Sequence, residues 1–173
     1  NLKLGDVECK CIADCKDLAN LTHLYLELNK ITEKGVALLA SSENLQNLSL
    51  LSLDRNEIKD AGFICIVNSK YFSQLQVLMV ENNSITDEGI EAICESKNLS
   101  SLLRLYIEEN NYTEEGFDLL GEAEHLMSLE YPEFDREEEL DEEDEEEEEF
   151  EDVEDIEEIE EEEDLGETEY ESQ

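Results

Sequence analysis

"LSLLSLDRNEIKDAG", residues 48–62, sets leucines at 48, 51 and 53, an asparagine at 56 and a glycine at 62. The frame recurs as "LTHLYLELNKITEKG" at 21–35, "LQVLMVENNSITDEG" at 75–89 and "LLRLYIEENNYTEEG" at 102–116, with a period of 27 residues and no slip. Leu24, Leu51, Leu78 and Leu105 share one slot; Leu26, Leu53, Val80 and Ile107 share the next apolar one. Asn29, Asn56, Asn83 and Asn110 form a third, and Gly35, Gly62, Gly89 and Gly116 a fourth. Apolar residues at helical spacing follow, such as Val36, Leu38, Leu39 and Leu45. A short strand with one helix cannot bury its apolar face alone, so such units stack around a shared core. The pattern predicts an α/β solenoid, a curved parallel sheet lined by helices, with the leucines at 24, 51, 78 and 105 buried. The asparagine at the end of each strand is placed to satisfy backbone groups of neighbouring turns.

The register extends beyond the four copies. Leu4, Cys9, Cys11, Ile12 and Leu18 fall on the slots of Ile31, Val36, Leu38, Leu39 and Leu45, so residues 1–20 read as a repeat without its strand, as expected of a piece of a longer array. Forward, Leu126 and Leu129 keep register, Pro132 and Phe134 take the next two apolar slots, and Glu137 replaces the asparagine. Proline is accepted at a sheet edge, so a terminal strand is expected there. The domain boundaries predicted from this register are 1–134 for the repeats, comprising the partial unit, four full units and the terminal strand, and 135–173 for an acidic low-complexity tail.

Charge supports the division. The chain of 173 residues carries a formal charge of −40, and 28 of its 51 acidic residues lie between Glu133 and Gln173, against a single Arg136. Such a segment cannot bury enough apolar surface to offset the entropy of ordering, so disorder is expected for the tail. Phe150, Val153, Ile156 and Ile159 recur within it at every third position. That spacing drifts by about 60° per step around a 3.6-residue helix, so no stable helix is expected in the free chain; the four are read as anchors of an arm that orders on a basic partner, the alternative being a tail that acts by charge or solubility alone. Nucleic-acid phosphates and anionic membranes are disfavoured as partners of so negative a chain, and basic proteins or peptides are favoured. No apolar run approaches the ~18 residues of a membrane span.

The side chains that could carry chemistry are structural by register. "CKCIADC", residues 9–15, packs three thiols together, but Cys9 and Cys11 hold apolar helix slots, Cys15 aligns with Ser42, Ser69 and Ala123, and Cys65 and Cys94 align with Leu38 and Ala40. Cysteine behaves there as a small hydrophobe. Neither a metal nor another cofactor is expected, and five unpaired thiols indicate an intracellular protein, cytoplasmic or nuclear. His23 and His125 have no nucleophile or orienting acid at motif spacing, so no catalytic residue is assigned and the protein is read as a non-enzyme.

Strand positions alternating with the leucines line the open, concave face. One column reads Glu27, Asp54, Glu81, Glu108 and Asp135; the next holds Tyr25, Ser52, Met79, Tyr106 and Glu133. Carboxylates on strands about 4.8 Å apart repel one another, an arrangement stability alone does not favour. Tyr25, Met79 and Tyr106 supply apolar and aromatic surface beside the acids, as in protein interfaces. Tyr25, Glu27, Asp54, Met79, Glu81, Tyr106, Glu108 and Asp135 are therefore the candidate partner-binding residues of a monomeric interaction module.

The L-x-x-L-x-L-x-x-N units with their T-x-x-G continuation resemble leucine-rich repeats of the ribonuclease-inhibitor subtype. Joined to "EEELDEEDEEEEE" from Glu137, they are similar to the C-terminal region of the Ran GTPase-activating protein family. That resemblance implies an alternative function, a fragment of a regulator of a small GTPase, and carries over no catalytic residue. Acidic leucine-rich nuclear phosphoproteins, which join shorter repeats to an acidic tail, suggest a second alternative, a histone-chaperone-like binder.

Overall fold

The computed structural model describes residues 3–123 and Leu126. Four three-residue strands, β1 (His23–Tyr25), β2 (Leu50–Ser52), β3 (Val77–Met79) and β4 (Arg104–Tyr106), form one parallel sheet in sequential order. Helices α1 (Asp6–Asp14), α2 (Glu33–Ala40), α3 (Lys59–Val67), α4 (Asp87–Glu95) and α5 (Glu114–Glu122) alternate with the strands and pack each against the next. The register pairs Leu24 with Leu51, Leu51 with Leu78 and Leu78 with Leu105, so the 27-residue period of the sequence is the strand-to-strand step of the sheet. Residues before β1 form a helix and a short 3-10 turn (Lys16–Leu18), as the strandless partial unit predicts.

A single apolar cluster joins the strand slots to the helix slots, with Leu51, Leu53, Phe63, Ile66, Leu75 and Leu78 fully buried. Leu105 is buried too, but Leu24 is only half-buried, a correction to the expected uniform row. β1 has a neighbour on one side among the described strands, so its leucine is covered less than those further along the sheet. Cys9 is fully buried as expected, whereas Cys11 is exposed at the surface of α1.

Three ladders of side chains join one repeat to the next. In the first, Asn56 Oδ1 accepts from the Ile31 N–H while its Nδ2 donates to the Leu26 and Leu53 carbonyls. Asn83 and Asn110 make equivalent bonds one repeat on. The asparagine slot thus closes the orphan backbone groups of two turns at once. The second ladder is made by Ser42, Ser69 and Ser96, all buried, whose hydroxyls donate to the carbonyls of Ala13, Ala40 and Val67 in the preceding repeat.

In the third, the Asp6 carboxylate accepts from the N–H and hydroxyl of Thr32, which caps α2, and from the Gly35 N–H. Asp60 clamps Thr86 and Gly89 in the same way, and Asp87 clamps Thr113. The clamp explains the glycine slot, because no described glycine has positive φ and conformational freedom is not what the slot requires. A Cβ on Gly35 or Gly89 would stand 2.5 or 2.8 Å from the Asp6 or Asp60 carboxylate, so glycine makes room for the neighbouring repeat's acid. The ladder has one break: Glu33 and Lys59 occupy the acid and threonine slots between α2 and α3, and α3 has no side-chain cap.

Candidate protein-binding face

The sheet presents its second set of side chains on the face opposite the leucines. Tyr25, Ser52, Met79 and Tyr106 are Cα partners across the four strands. Backbone pairing continues past the strand ends, with Leu26, Leu53 and Val80 N–H groups donating to the carbonyls of Ser52, Met79 and Tyr106. The N–H groups of Leu28, Arg55 and Asn82 then donate to the carbonyls of Asp54, Glu81 and Glu108. These bonds hold the acid column in register, one carboxylate per strand, beside the aromatic column.

The acids sit in unequal surroundings. Glu27 is exposed, whereas Asp54, Glu81 and Glu108 are half-buried. Burial raises the Asp54 carboxyl above its ordinary value, and the charges of Glu27 and Glu108 act in the same sense; bonds from the Glu81 N–H and the Ser52 hydroxyl offset part of this. Glu81 is likewise raised, first by burial and then by the charges of Asp54, Glu108 and Glu109. Glu108 Oε2 is buried and has no hydrogen-bond donor among the described residues. Its neighbouring carboxyls could donate to it only when protonated. Burial, followed by the Glu108 charge, also raises the half-buried Tyr112 hydroxyl. The column is a row of carboxylates, of which Asp54, Glu81 and Glu108 are taken partly out of water. Arg55 approaches Glu109 at 4.0 Å, outside the column.

Of the candidate residues, Tyr25 and Glu27 are exposed at the β1 end, while Met79, Glu81, Tyr106 and Glu108 are half-buried towards β4. Tyr25 is 57% exposed. Asp135 and the tail positions Phe150, Val153, Ile156 and Ile159 lie outside the described residues. Sequence reading missed the slot that follows the acids. Leu28, Arg55, Asn82 and Glu109 all have positive φ, between 50° and 59°, because the chain turns sharply at the end of each strand. Asn82 donates to Glu109, and Arg55 faces the same carboxylate, so three repeats fill this slot with interacting polar groups. The first repeat fills it with a leucine, in a left-handed conformation that costs a bulky residue about 1 kcal/mol. The visible signal was an apolar residue in a slot otherwise polar.

The cysteines carry no sign of chemistry. Burial pushes the Cys9 thiol up to about 12, and burial also raises Cys65 and Cys94, so none of these three is activated as a thiolate. No cluster of possible metal ligands occurs among the described residues. No helix among them is long and apolar enough to cross a membrane.

Comparison with known proteins agrees with the architecture. Residues 18–40 and 74–94 match the model of the leucine-rich repeat, in keeping with the repeating strand-helix units of the sheet. Among solved structures, the chain is similar to leiomodin-1 actin-binding site 2, with a TM-score of 0.52 and 17% identity over 70% of this chain and 72% of that one. At that identity the likeness is one of fold. No curated protein matches the sequence.

Proposed function

We propose that the chain is a non-enzymatic protein-interaction module that takes a basic protein or peptide on the open face of its sheet. The observation carrying this reading is the column Glu27, Asp54, Glu81 and Glu108, where carboxylates are stacked, the last three are half-buried, and Glu108 Oε2 has no donor among the described residues. A lysine or arginine side chain of the partner would supply that oxygen with a charged donor. Desolvated, cation-paired carboxylates bind more strongly than rim charges, and a negative face also steers a basic partner before contact. The acidic tail, residues 135–173, adds to that steering by its charge and lends Phe150, Val153, Ile156 and Ile159 as short-lived anchors.

Calorimetric titration of the full chain with a lysine- and arginine-rich peptide, in a salt series, tests the reading. Glu81→Gln with Glu108→Gln should weaken binding about tenfold and reduce its salt dependence, while thermal stability holds or rises. Unchanged affinity together with lower stability would make the column structural. A chain ending at Asp135, and a Phe150→Ser, Ile156→Ser, Ile159→Ser triple variant, separate the tail's charge from its anchors. Anchors predict weaker binding by the triple variant with the salt slope of the intact chain.

A further inference from the structure

The helices turn a second surface outward, and one helix is out of keeping with those that follow it. On α4 the outward slots hold Glu88, Glu91, Ala92 and Glu95; on α5, one period later, they hold Glu115, Asp118, Leu119 and Glu122. On α3, one period before α4, the same slots hold Ala61, Ile64, Cys65 and Asn68, so every acid gives way to an uncharged residue. Gly62, Phe63, Ile66 and Val67 fill the inward side, and from residue 61 to 67 the helix is apolar all round. A helix of that kind is ordinarily covered on every side. Ala61 is nevertheless exposed, Ile64 and Cys65 are half-buried, and Leu38, which holds the Cys65 slot on α2, is 38% exposed. The patch lies in the middle of the array, for α3 packs against both α2 and α4, so its exposure owes nothing to an end. Ala40 and Ser41 from the end of α2 and Cys65 and Asn68 from α3 line one groove beside it. Packing does not dictate the uncharged slots either, since α4 and α5 fill them with acids in the same fold.

We propose that the outward side of α2 and α3 docks an amphipathic helix of a partner protein, its apolar stripe on Leu38, Ile64 and Cys65 and its basic flank turned towards Glu88, Glu91 and Glu95 of α4. Charge selects the occupant. The apolar patch is bordered on one side by the α4 carboxylates, all exposed, and on the other by the exposed Lys34 of α2. Packed helices lie about 10 Å apart, a gap that lysine or arginine on one side and glutamate on the other can close. An acidic partner, or a second copy of this chain with its net charge of −40, meets repulsion at the same border. The surface shares no residue with the acid column of the sheet, so it stands apart from the basic-partner reading given for that face.

Two peptides of equal charge test this against the full chain by calorimetry: Leu-Lys-Lys-Leu-Leu-Lys-Leu repeated twice, and the same sequence with serine in place of leucine. The leucine peptide should bind roughly tenfold more tightly. Ala61→Glu with Asn68→Glu, both at exposed positions, gives α3 the acids that α4 carries in those slots, and should remove the preference. The sign decides, because attraction by charge alone would make the added acids strengthen both peptides, and that result overturns the surface. Glu91→Gln with Glu95→Gln should weaken the leucine peptide several-fold; unchanged affinity overturns the basic flank. Thiol alkylation by iodoacetamide locates the peptide. Bound leucine peptide should slow the reaction of Cys65 several-fold and leave that of Cys11, in the same slot on α1, as it was; equal effects on the two overturn the placement. Glu81→Gln with Glu108→Gln should leave both the leucine preference and the protection of Cys65 intact. Loss of both in that variant would move the peptide to the sheet face, overturning this surface and leaving the earlier reading standing. Self-association of the full chain in sedimentation, abolished by Ala61→Glu with Asn68→Glu, would assign the patch to a second copy and overturn the partner helix.

Discussion

Two ladders of carboxylates run along this molecule with the same 27-residue step and opposite fates. Asp6, Asp60 and Asp87, at the N-termini of helices, each receive N–H and hydroxyl donors from the following repeat. For Asp6, burial alone would raise the pKa, but the bonds from Thr32 and Gly35, helped by the Lys34 charge, bring it below its ordinary value. Of Glu27, Asp54, Glu81 and Glu108, on the sheet face, Asp54 accepts from the Glu81 N–H and the Ser52 hydroxyl, yet burial and the neighbouring carboxylates leave Asp54 and Glu81 raised. Enough donors convert a buried acid into a joint; too few leave burial and like charge to raise its pKa. The helix-side ladder joins one repeat to the next through several bonds at each acid, whereas the sheet-side column does so through single bonds, at Glu27 and at Asp54.

The comparison can be broken in several ways. Both ladders rest on the core between sheet and helices, and the largest effect is expected there: Leu78→Ala should destabilise the array by about 2 to 5 kcal/mol in chemical denaturation. Next, the same change made once in each ladder should act with opposite sign. Asp60→Ala, which strands the N–H and hydroxyl donors of Thr86, should cost about 2 kcal/mol. Glu81→Gln should be neutral or stabilising by about 0.5 kcal/mol. A loss at Glu81 as large as that at Asp60 would dissolve the distinction.

The natural break in the helix-side ladder offers a gain rather than a loss. Between α2 and α3 the slots hold Glu33 and Lys59, the latter with φ 53°, and the junction relies on Val36, Leu39, Phe63 and Ile66 instead. Because Lys59 is left-handed whereas the capping Thr32, Thr86 and Thr113 are extended, Lys59→Thr alone should destabilise, and only with Glu33→Asp, whose clamp holds residue 59 extended, should the pair add about 1 kcal/mol. Gly62 already provides room, since a Cβ there would stand 3.2 Å from the Glu33 Cα.

The smallest effect is in the pH dependence, where the signs differ. Asp6 is lowered from 3.8, so its contribution to stability is complete above that value and is lost as pH falls through the lower folded one. Asp54 and Glu81 are raised from 3.8 and 4.5, so the folded chain binds their protons first, and stability gains from them as pH falls through the raised folded values towards those numbers. Thermal melts against pH should therefore lose part of their acid-side gain in Asp54→Asn, and part of their final acid loss in Asp6→Asn.

What could be read in the sequence was whatever recurs without exception. The leucine slots gave the sheet and its register, and the asparagine slot gave the turn closures, because four matching copies leave one stacking possible. The clamp escaped because its acid and its threonine lie 26 residues apart in different units, a partnership that only stacking reveals. The serine ladder escaped for the same reason, although Ser42, Ser69 and Ser96 keep the period in plain sight. Leu24 was misjudged because a slot records chemistry and not position in the array, and an end strand has one neighbour fewer. The site was legible as two columns; the graded burial along them, and the strained Leu28, depend on depth and backbone geometry that residue types do not encode.

The three ladders also act as rulers of different length. Asparagine to backbone spans 25 residues, acid to threonine 26, and serine to carbonyl 29. A one-residue insertion within a unit puts all three out of phase at that junction, like a dislocation in a crystal, and none can be mended without misfitting another. Duplication or loss of a whole unit of 27 leaves every ruler in phase. Length change in this fold is therefore quantised, and the chain can gain or lose sheet surface in whole strands, one carboxylate of the column at a time.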